Sequence, residues 1–246
     1  MLQKPRRRPV QLVGARPLSP ATRELTFAVT DGEPFDYVAG QWVDLEIEIP
    51  GLNPEPGKRA YSIASAPNPD ARDKFDVAVT RVDGGPVSTA LHALNVGATM
   101  NMVGPSGLFT RERAPVDVPS LFVGTGTGLS PLRSMIHDEL RERPTGASLT
   151  LVFGCRSEAD ILWRAEMEAL AAKYDRFRYE ITLSRPDAGW KGRSGYVQTH
   201  LRELIADTNQ VHVYICGLTR MVTEARQVLK EDLKLDRRQV HSERYD

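Results

Sequence analysis

A glycine-rich turn follows a short apolar segment in the second half of the chain. It reads Val-Gly-Thr-Gly-Thr-Gly-Leu-Ser-Pro over residues 123–131, and a helical pattern begins within it. Glycines without a Cβ atom let the backbone approach an anion, and the free N–H groups of a helix N-terminus attract negative charge. The turn therefore predicts a diphosphate-binding site, although its spacing differs from the usual Gly-x-Gly-x-x-Gly pattern.

A second candidate is the tetrapeptide Arg59-Ala60-Tyr61-Ser62 in the β-rich first half. An arginine can hold a diphosphate through two parallel hydrogen bonds. A tyrosine two residues later projects from the same strand face and can pack against a flat ring. The serine hydroxyl can hydrogen-bond a ring nitrogen. A strand with an exposed arginine and a core tyrosine would have the same sequence. The tetrapeptide alone therefore does not distinguish a ligand-binding site from an ordinary strand.

The third candidate is Cys216-Gly217, which directly follows the apolar segment Val211–Ile215. In an open α/β sheet, ligands bind beyond the carboxyl ends of the strands, where this cysteine is expected. A buried cysteine can also be a small apolar residue without chemistry. The chain has two cysteines, too few for a four-thiolate cluster, and its five histidines lack metal-ligand spacing. We therefore expect no metal site.

The first half of the chain consists of short β segments separated by glycines and prolines. Such a pattern predicts an antiparallel sandwich or barrel. Proline at a first helical turn predicts one helix over Pro86–Leu94. The predicted strands are Val10–Gly14, Glu24–Val29, Trp42–Glu48, Arg59–Ala64 and Phe75–Val82.

The order of predicted elements changes after the proline-containing segment Arg113–Pro119, a predicted linker. Strands then alternate with helices, which predicts a parallel sheet covered on both faces. The predicted strands are Ser120–Gly124, Ser148–Gly154, Phe177–Ser184, Val211–Gly217 and Gln239–Glu243. The predicted helices are Leu129–Arg141, Ala165–Tyr174, Val197–Ile205 and Arg220–Leu233. We expect two domains, residues 1–113 and 119–246.

Composition narrows the class of protein. The 246 residues are 41% hydrophobic and 26% charged with a formal net charge of zero, which is typical of a globular protein and gives no indication of nucleic-acid or membrane binding. No signal peptide or transmembrane run is evident, so we expect a cytoplasmic protein. The basic residues Arg6–Arg8 predict a solvated, partly disordered tail; a docking arm for an acidic partner is the alternative.

Five motifs occur in order along the chain. They are Arg59–Ser62, Gly104–Phe109, the glycine turn with Pro131, Gly154-Cys155-Arg156, and Tyr214-Ile215-Cys216-Gly217 with Met221-Val222. Together they resemble the ferredoxin–NADP⁺ reductase superfamily, which includes the reductase modules of bacterial oxygenases. The resemblance covers nearly the whole chain and implies a six-stranded antiparallel FAD barrel followed by an α/β NAD(P)-binding domain with a parallel sheet.

The resemblance also implies roles for residues of the first half. Arg59 would contact the FAD diphosphate, Tyr61 would stack on the flavin, and Ser62 would hydrogen-bond near its reactive N5. A glycine-rich turn and helix start would face the diphosphate. The other implied FAD-binding residues are Ala60, Ile63, Gly84, Gly85, Val87, Ser88 and Thr89.

For the second half, the resemblance implies an NAD(P) site in which Cys216 lies beside the nicotinamide C4. Tyr245 would cover the flavin face, and Glu243 would be a proton relay or simply a surface charge. The other implied residues are Gly124, Thr125, Gly126, Thr127, Gly128, Pro131, Gly217 and Met221.

The choice between NADP and NAD depends on cationic partners for a 2′-phosphate. Ser184-Arg185 and Arg193 resemble the Ser-Arg…Gly-Arg pattern of NADP-preferring bacterial members, and Arg156 lies nearby in the family pattern. Asp187 is close enough to count against this preference. We expect NADPH, with NADH as the alternative.

The implied reaction is hydride transfer from NADPH to FAD, followed by transfer of single electrons to a separate ferredoxin or flavodoxin. Basic candidates for steering an acidic partner are Arg6–Arg8, Lys58, Arg72 and Lys74. Alternatives are an NAD(P)H:flavin reductase and an electron-transfer subunit of a larger complex. The expected state is a monomer or weak dimer.

Overall fold

The computed structural model describes residues 4–53, 56–111, 115, 117–205 and 210–245. Its contacts divide the chain into two compact units. The first comprises residues 1–112 and 133–138, and the second comprises residues 113–132 and 139–246. The predicted linker Arg113–Pro119 lies partly outside the described residues.

The first unit contains a six-stranded antiparallel sheet. Its strands are β1 (Arg6–Ser19), β2 (Thr22–Val29), β3 (Trp42–Ile47), β4 (Gly57–Ser62), β5 (Lys74–Thr80) and β6 (Thr99–Ser106). The strand order is β4-β3-β6-β1-β2-β5. An isolated antiparallel bridge joins Ile63, directly after the edge strand β4, to Val77 in the other edge strand, β5. The sheet is therefore curled into a half-barrel, and the predicted antiparallel class is confirmed.

Alternating side chains explain why the sheet curls around a core. In β3, Val43, Leu45 and Ile47 are buried, whereas the residues between them are half-exposed. A strand with this period of two buries one face only. Aromatic rings fill the centre, where Phe27 and Phe75 stack with ring centroids 5.7 Å apart.

The sixth strand, β6, has no counterpart among the five strands predicted from pattern. It is central, between β3 and β1, yet it contains Asn101, Gly104 and Pro105, which are poor strand formers. Its pairing partners, rather than its own propensities, fix it as a strand. The predicted helix is confirmed as α1 (Pro86–Ala93).

The prediction of a partly disordered tail at Arg6–Arg8 is wrong, because these residues begin β1. Arg8 is buried and donates to both carboxylate oxygens of Asp31, with an Nε–Oδ2 distance of 2.7 Å. It also donates to the carbonyl oxygens of Glu33 and Pro34. A buried guanidinium needs such a full set of acceptors, and here the set clamps residues 31–34 onto β1.

The second unit contains a six-stranded parallel sheet, so the predicted parallel class is confirmed. Its strands are β7 (Ser120–Thr125), β8 (Leu149–Cys155), β9 (Phe177–Leu183), β10 (Arg193–Ser194), β11 (His212–Leu218) and β12 (Val240–Tyr245). The strand order is β10-β9-β8-β7-β11-β12. The helices of this half of the chain are α2 (Leu129–Glu142), α3 (Arg164–Lys173), α4 (Leu201–Leu204) and α5 (Thr219–Gln227). Residues 133–138 of α2 are grouped with the first unit.

The strand order reverses direction at β7, which lies between β8 and β11. Successive residues Leu121, Phe122 and Val123 of β7 are all buried, as expected for a strand covered on both faces. Helices α4 and α5 supply the apolar side chains on one face. The described residues include no helix with the length and apolarity needed to cross a membrane.

Two predicted helices have different bounds in the structure. The segment predicted as the helix Val197–Ile205 starts with a 3₁₀ turn over Val197–His200 before α4. The segment predicted as Arg220–Leu233 is α5 followed by a wider π turn over Val228–Asp232. The short strand β10, which pairs with β9, is absent from the prediction because two residues carry no periodicity.

The clamp between Arg8 and Asp31 should contribute to the stability of the first unit. Hydrogen bonds from Arg8 lower the pKa of Asp31 from 3.8 to about 2, so this contribution is present above pH 3.8 and is lost as the pH falls towards 2. We expect Asp31→Asn to lower the free energy of unfolding by about 1–3 kcal/mol at neutral pH. Urea denaturation at neutral and acidic pH measures both effects.

Asp36→Asn is the matched control, since Asp36 forms a similar pair with Arg72 in which both side chains are about half exposed. Hydrated ion pairs contribute little. Equal losses in the two variants would contradict a special role for the buried guanidinium.

Candidate functional site

Strand β4 presents the predicted tetrapeptide with an exposed cation next to a half-buried ring. Arg59 is exposed, and among the described residues its Nη1 donates to the neighbouring carbonyl oxygen of Lys58. Tyr61 packs against the core, and burial raises its pKa to about 12. Ser62 and Ile63 are buried. Arg59 is therefore available to an anion, and Tyr61 stays a neutral phenol.

The turn before α1 leaves space in which an anion could lie. Gly84 has a φ of +74°, and a Cβ at this position would have no atom within 4 Å of it. Pro86 begins the helix, and no side chain of the described residues caps its first N–H groups. Such groups are ready to bind a negative charge.

The other residues predicted in this turn have structural contacts. The Ser88 hydroxyl donates to the Gly85 carbonyl oxygen and accepts from the Val82 N–H, so it stiffens the turn. Val87 is buried, and Thr89 is exposed. Helix α1 packs beside β3, β4 and β5, so the turn and Arg59 belong to one region of the first unit.

In the second unit, the glycine turn packs tightly against the end of β11. A Cβ on Gly128 would lie 2.3 Å from the carbonyl oxygen of Cys216. Gly217 has a φ of +146°, and a Cβ there would lie 2.2 Å from Thr125 Oγ1 and 3.0 Å from Met221 Cε. Side chains at either glycine would push the turn away from the strand.

Strand register places three predicted residues side by side where the strand order reverses. Gly124 on β7 is paired with Cys216 on β11, which in turn is paired with Glu243 on β12. Tyr245 lies two residues further along β12, opposite Leu218. This is the edge at which open α/β sheets bind ligands. The sequence motifs therefore meet at one place within the second unit.

The environment of Cys216 keeps its thiol protonated. Burial raises the pKa well above the ordinary thiol value and Glu243 raises it further, whereas a hydrogen bond with Tyr245 opposes the shift. A thiol with a raised pKa is a poor nucleophile at neutral pH. Cys216 can thus shape a pocket without reacting.

Two hydroxyls of the glycine turn lack partners among the described residues. Thr125 Oγ1 and Ser130 Oγ are both buried without a hydrogen bond. Buried polar groups are normally paired, so these hydroxyls fit the edge of a polar ligand such as a dinucleotide. Gly126, with a φ of +53°, has open space around it, as an approaching diphosphate requires. Ser130 is absent from the predicted site residues, although its position in the motif was a usable signal.

The remaining residues of the glycine motif begin the helix. Thr127 is half-buried in the 3₁₀ turn Gly126–Gly128, and Pro131 is buried in the first turn of α2. Within the described ranges, no side chain caps the start of α2. The first N–H groups of α2, which follow the carboxyl end of β7, therefore have no side-chain acceptors among the described residues.

The ends of β8 and β9 bring two predicted arginines together. Ser184 N–H donates to the Cys155 carbonyl oxygen, and Arg185 N–H donates to that of Arg156. Both arginines are exposed, and neither guanidinium has a carboxylate partner in the described part of the chain. They can therefore bind a phosphate.

Arg193 is in a different environment from the other two arginines. Its Nη1 and Nη2 donate to the carboxylate of Glu203 at 2.7 and 2.9 Å, and its Nε donates to Glu180 at 3.2 Å. No sequence pattern indicates these partners, because Glu203 lies ten residues later on α4.

Other polar groups have structural positions. Both cysteines are free, and burial raises the pKa of Cys155 to about 12. His212 and His241, on neighbouring strands, lie 3.0 Å apart from Nδ1 to Nε2. Among residues with described coordinates, no group of three or more His, Cys, Asp or Glu side chains could hold a metal ion.

Known protein families match both halves of the chain. Residues 9–110 match the family model of the oxidoreductase FAD-binding domain, and residues 122–227 match that of the oxidoreductase NAD-binding domain. The chain is 52% identical over 242 residues to ferredoxin–NADP reductase B of Sorangium cellulosum, covering 96% of each protein. It is 34% identical over 213 residues to the glycine betaine monooxygenase reductase subunit of Pseudomonas aeruginosa, covering 83% of this chain but 56% of that protein.

Solved structures show the same fold at low sequence identity. The Amycolatopsis cytochrome P450 reductase GcoB superposes with a TM-score of 0.86 at 24% identity, over 98% of this chain and 70% of that one. The FAD/NAD-binding domain of the Vibrio cholerae nitric oxide dioxygenase gives 0.86 at 22% identity, over 97% and 98%.

The half-barrel, the parallel sheet and the two matched domains define an FAD- and NAD-binding oxidoreductase. With a relative at 52% identity along nearly its whole length, the chain belongs to the ferredoxin–NADP⁺ reductase family. The predicted family, fold class and enzyme class are confirmed.

The close packing of Gly128 predicts a specific cost for a larger residue there. We expect Gly128→Ala to lower the stability of the protein by about 1–3 kcal/mol, because the added methyl group meets backbone atoms of β11 that cannot move independently. It should also weaken nucleotide binding by displacing the turn. Urea denaturation and titration with NADP⁺ measure the two effects.

Gly189→Ala is the control, since no atom lies within 4 Å of a Cβ at that position. A Gly128 variant as stable as the Gly189 variant would show that the close approach is not required.

Proposed function

We propose that the chain transfers a hydride from NADPH to FAD and passes single electrons to a separate ferredoxin or flavodoxin. The FAD would bind residues 1–113 and the nicotinamide nucleotide residues 119–246. The observation that carries the proposal is the alignment of Gly124, Cys216 and Glu243 at the ligand-binding edge of the parallel sheet. The 52% identity to a ferredoxin–NADP reductase supports NADP and this acceptor class.

The protein's contribution is to bind and orient the two cofactors. FAD, when bound, supplies the conversion between hydride transfer and one-electron transfer. Arg59 and the uncapped start of α1 would hold its diphosphate, and Tyr61 would pack on its ring. Ser62 would donate a hydrogen bond near N5. Holding reactants in one geometry supplies much of the rate in such reactions.

The second unit would orient the nicotinamide nucleotide. The glycine turn would hold its diphosphate, together with the Thr125 and Ser130 hydroxyls, which have no hydrogen-bond partner in the described part of the chain. Cys216 would present a neutral thiol beside the nicotinamide, since its raised pKa prevents a charge from forming there. Glu243 holds a position beside Cys216 from which it could move a proton, and Tyr245 would cover the flavin.

The exposed arginines favour NADPH as the donor. Arg156 and Arg185 lie together at the ends of β8 and β9, and their exposed guanidinium groups have no carboxylate partner among the described residues. A 2′-phosphate at this edge would receive charge-assisted hydrogen bonds that a 2′-hydroxyl cannot use equally. The paired Arg193 would contribute less.

Most of the basic residues predicted to steer an acidic partner are already paired. Arg7 is bound to Glu46, Arg8 to Asp31, Lys58 to Asp44 and Arg72 to Asp36. Such pairs reduce the local positive potential, so long-range steering by this set would be weak. Selection of the acceptor then depends on contacts at short range. The monomeric or weakly dimeric state and the cytoplasmic location stay predictions.

Anaerobic mixing of the purified yellow protein with NADPH or NADH tests the reaction directly. We expect NADPH to bleach the flavin faster than NADH, and added ferredoxin or flavodoxin to restore the colour. Protein that is colourless until flavin is added would favour an NAD(P)H:flavin reductase instead. No bleaching by either nucleotide would overturn the proposal.

The 2′-phosphate assignment predicts an unequal effect of Arg185→Ala. Because one charge-assisted hydrogen bond to phosphate is lost, we expect kcat/KM for NADPH to fall by about tenfold to a hundredfold while that for NADH changes little. Steady-state kinetics with both nucleotides measures the ratio.

Arg141→Ala is the control, because Arg141 is an exposed arginine in the last turn of α2. Equal losses for NADPH and NADH in the Arg185 variant would remove the case for the phosphate.

A further inference from the structure

Two carboxylates hold the guanidinium of Arg193 in different ways. Glu203 accepts from both Nη1 and Nη2, whereas Glu180 accepts from Nε. The fork of the guanidinium, which is the part that binds phosphate bidentately, therefore faces Glu203. Glu180 binds the remaining N–H group.

The backbone of Arg193 is fixed independently of these ion pairs. It pairs with Thr182 of β9 in the sheet, and its carbonyl oxygen accepts a hydrogen bond from Trp190 Nε1 at 2.8 Å. Loss of one carboxylate would free part of the side chain without releasing the strand.

The two partners of Arg193 differ in how easily they can be displaced. The Glu203 side chain is 65% exposed, whereas the Arg193 side chain is 21% exposed and that of Glu180 is 25% exposed. An exposed carboxylate loses little when it returns to water, and exposed pairs are weak. Arg193 also lowers the pKa of Glu203, so the Glu203 carboxylate is ionised at neutral pH.

We propose that Glu203 competes with the 2′-phosphate of NADPH for the fork of Arg193 and so weakens the preference of this chain for NADPH over NADH. Glu180 keeps the guanidinium oriented through Nε. Glu203 is thus a specificity-determining residue that acts through Arg193. The inference rests on the proposed function, because it takes NADPH as the hydride donor.

Glu203→Gln tests the competition, since glutamine keeps the shape and removes the charge. We expect kcat/KM for NADPH to rise about three- to fivefold, as loss of one exposed ion pair allows, and kcat/KM for NADH to stay within about twofold. This rise should come from a lower KM for NADPH and not from a higher kcat. The control is Glu142→Gln, which removes the same charge from an exposed ion pair at the end of α2 and should change neither value.

A double-mutant cycle separates competition from simple loss of a repelling charge. In an Arg193→Ala background, Glu203→Gln should have no further effect on the NADPH/NADH ratio. A similar rise in that background would overturn the competition, and so would an unchanged ratio in the single variant.

Calorimetric titration of the flavin-loaded protein with 2′-AMP and 5′-AMP gives a readout that does not depend on hydride transfer. The Glu203→Gln variant should bind 2′-AMP more tightly and 5′-AMP equally well. Unchanged 2′-AMP affinity overturns the role of Glu203. If neither NADPH nor NADH reduces the flavin of the unsubstituted protein, the proposed function is overturned instead. The titration still decides the role of Glu203 in that case.

Discussion

The second unit depends on the close approach of two backbones, the glycine turn after β7 and the end of β11. The carbonyl oxygen of Cys216 occupies the space where a side chain at Gly128 would be, and Thr125 Oγ1 occupies the corresponding space at Gly217. Because a Cβ is excluded from both sides, the turn can lie directly beside the strand. That packing leaves the start of α2 at the edge where the strand order reverses, with the hydroxyls of Thr125 and Ser130 that lack a partner among the described residues.

The same packing explains the chemistry of Cys216. A residue covered by a neighbouring turn is desolvated, which disfavours its charged form. Glu243 on the adjacent strand acts in the same direction, so two independent causes keep the thiol neutral. The site therefore offers shape and hydrogen-bonding groups without a protein nucleophile, which suits a reaction whose reactive atoms belong to cofactors.

Local patterns predict most of the elements and the edge at which the site lies. The glycine turn is recognisable because the close approach requires glycine, and the parallel strands are recognisable because both of their faces are buried. The elements that local patterns miss depend on partners distant in sequence. Strand β6 contains poor strand formers held between β3 and β1, and β10 is two residues paired with β9. Arg6–Arg8 resembles a solvated tail because Asp31, the partner of Arg8, is far away in sequence.

The sequence does not predict which arginines can bind a ligand anion and which are bound by carboxylates of the protein. Arg59, Arg156 and Arg185 are exposed and have no carboxylate partner among the described residues, whereas the guanidinium groups of Arg8 and Arg193 are bound by carboxylates. Nothing in the residue type separates these cases, because the guanidinium recognises a carboxylate and a phosphate through the same geometry. The distinction lies in which acidic residues the fold brings within reach. A motif arginine identifies a place where an anion can bind, and only the neighbouring carboxylates decide whether that anion is a ligand or the protein itself.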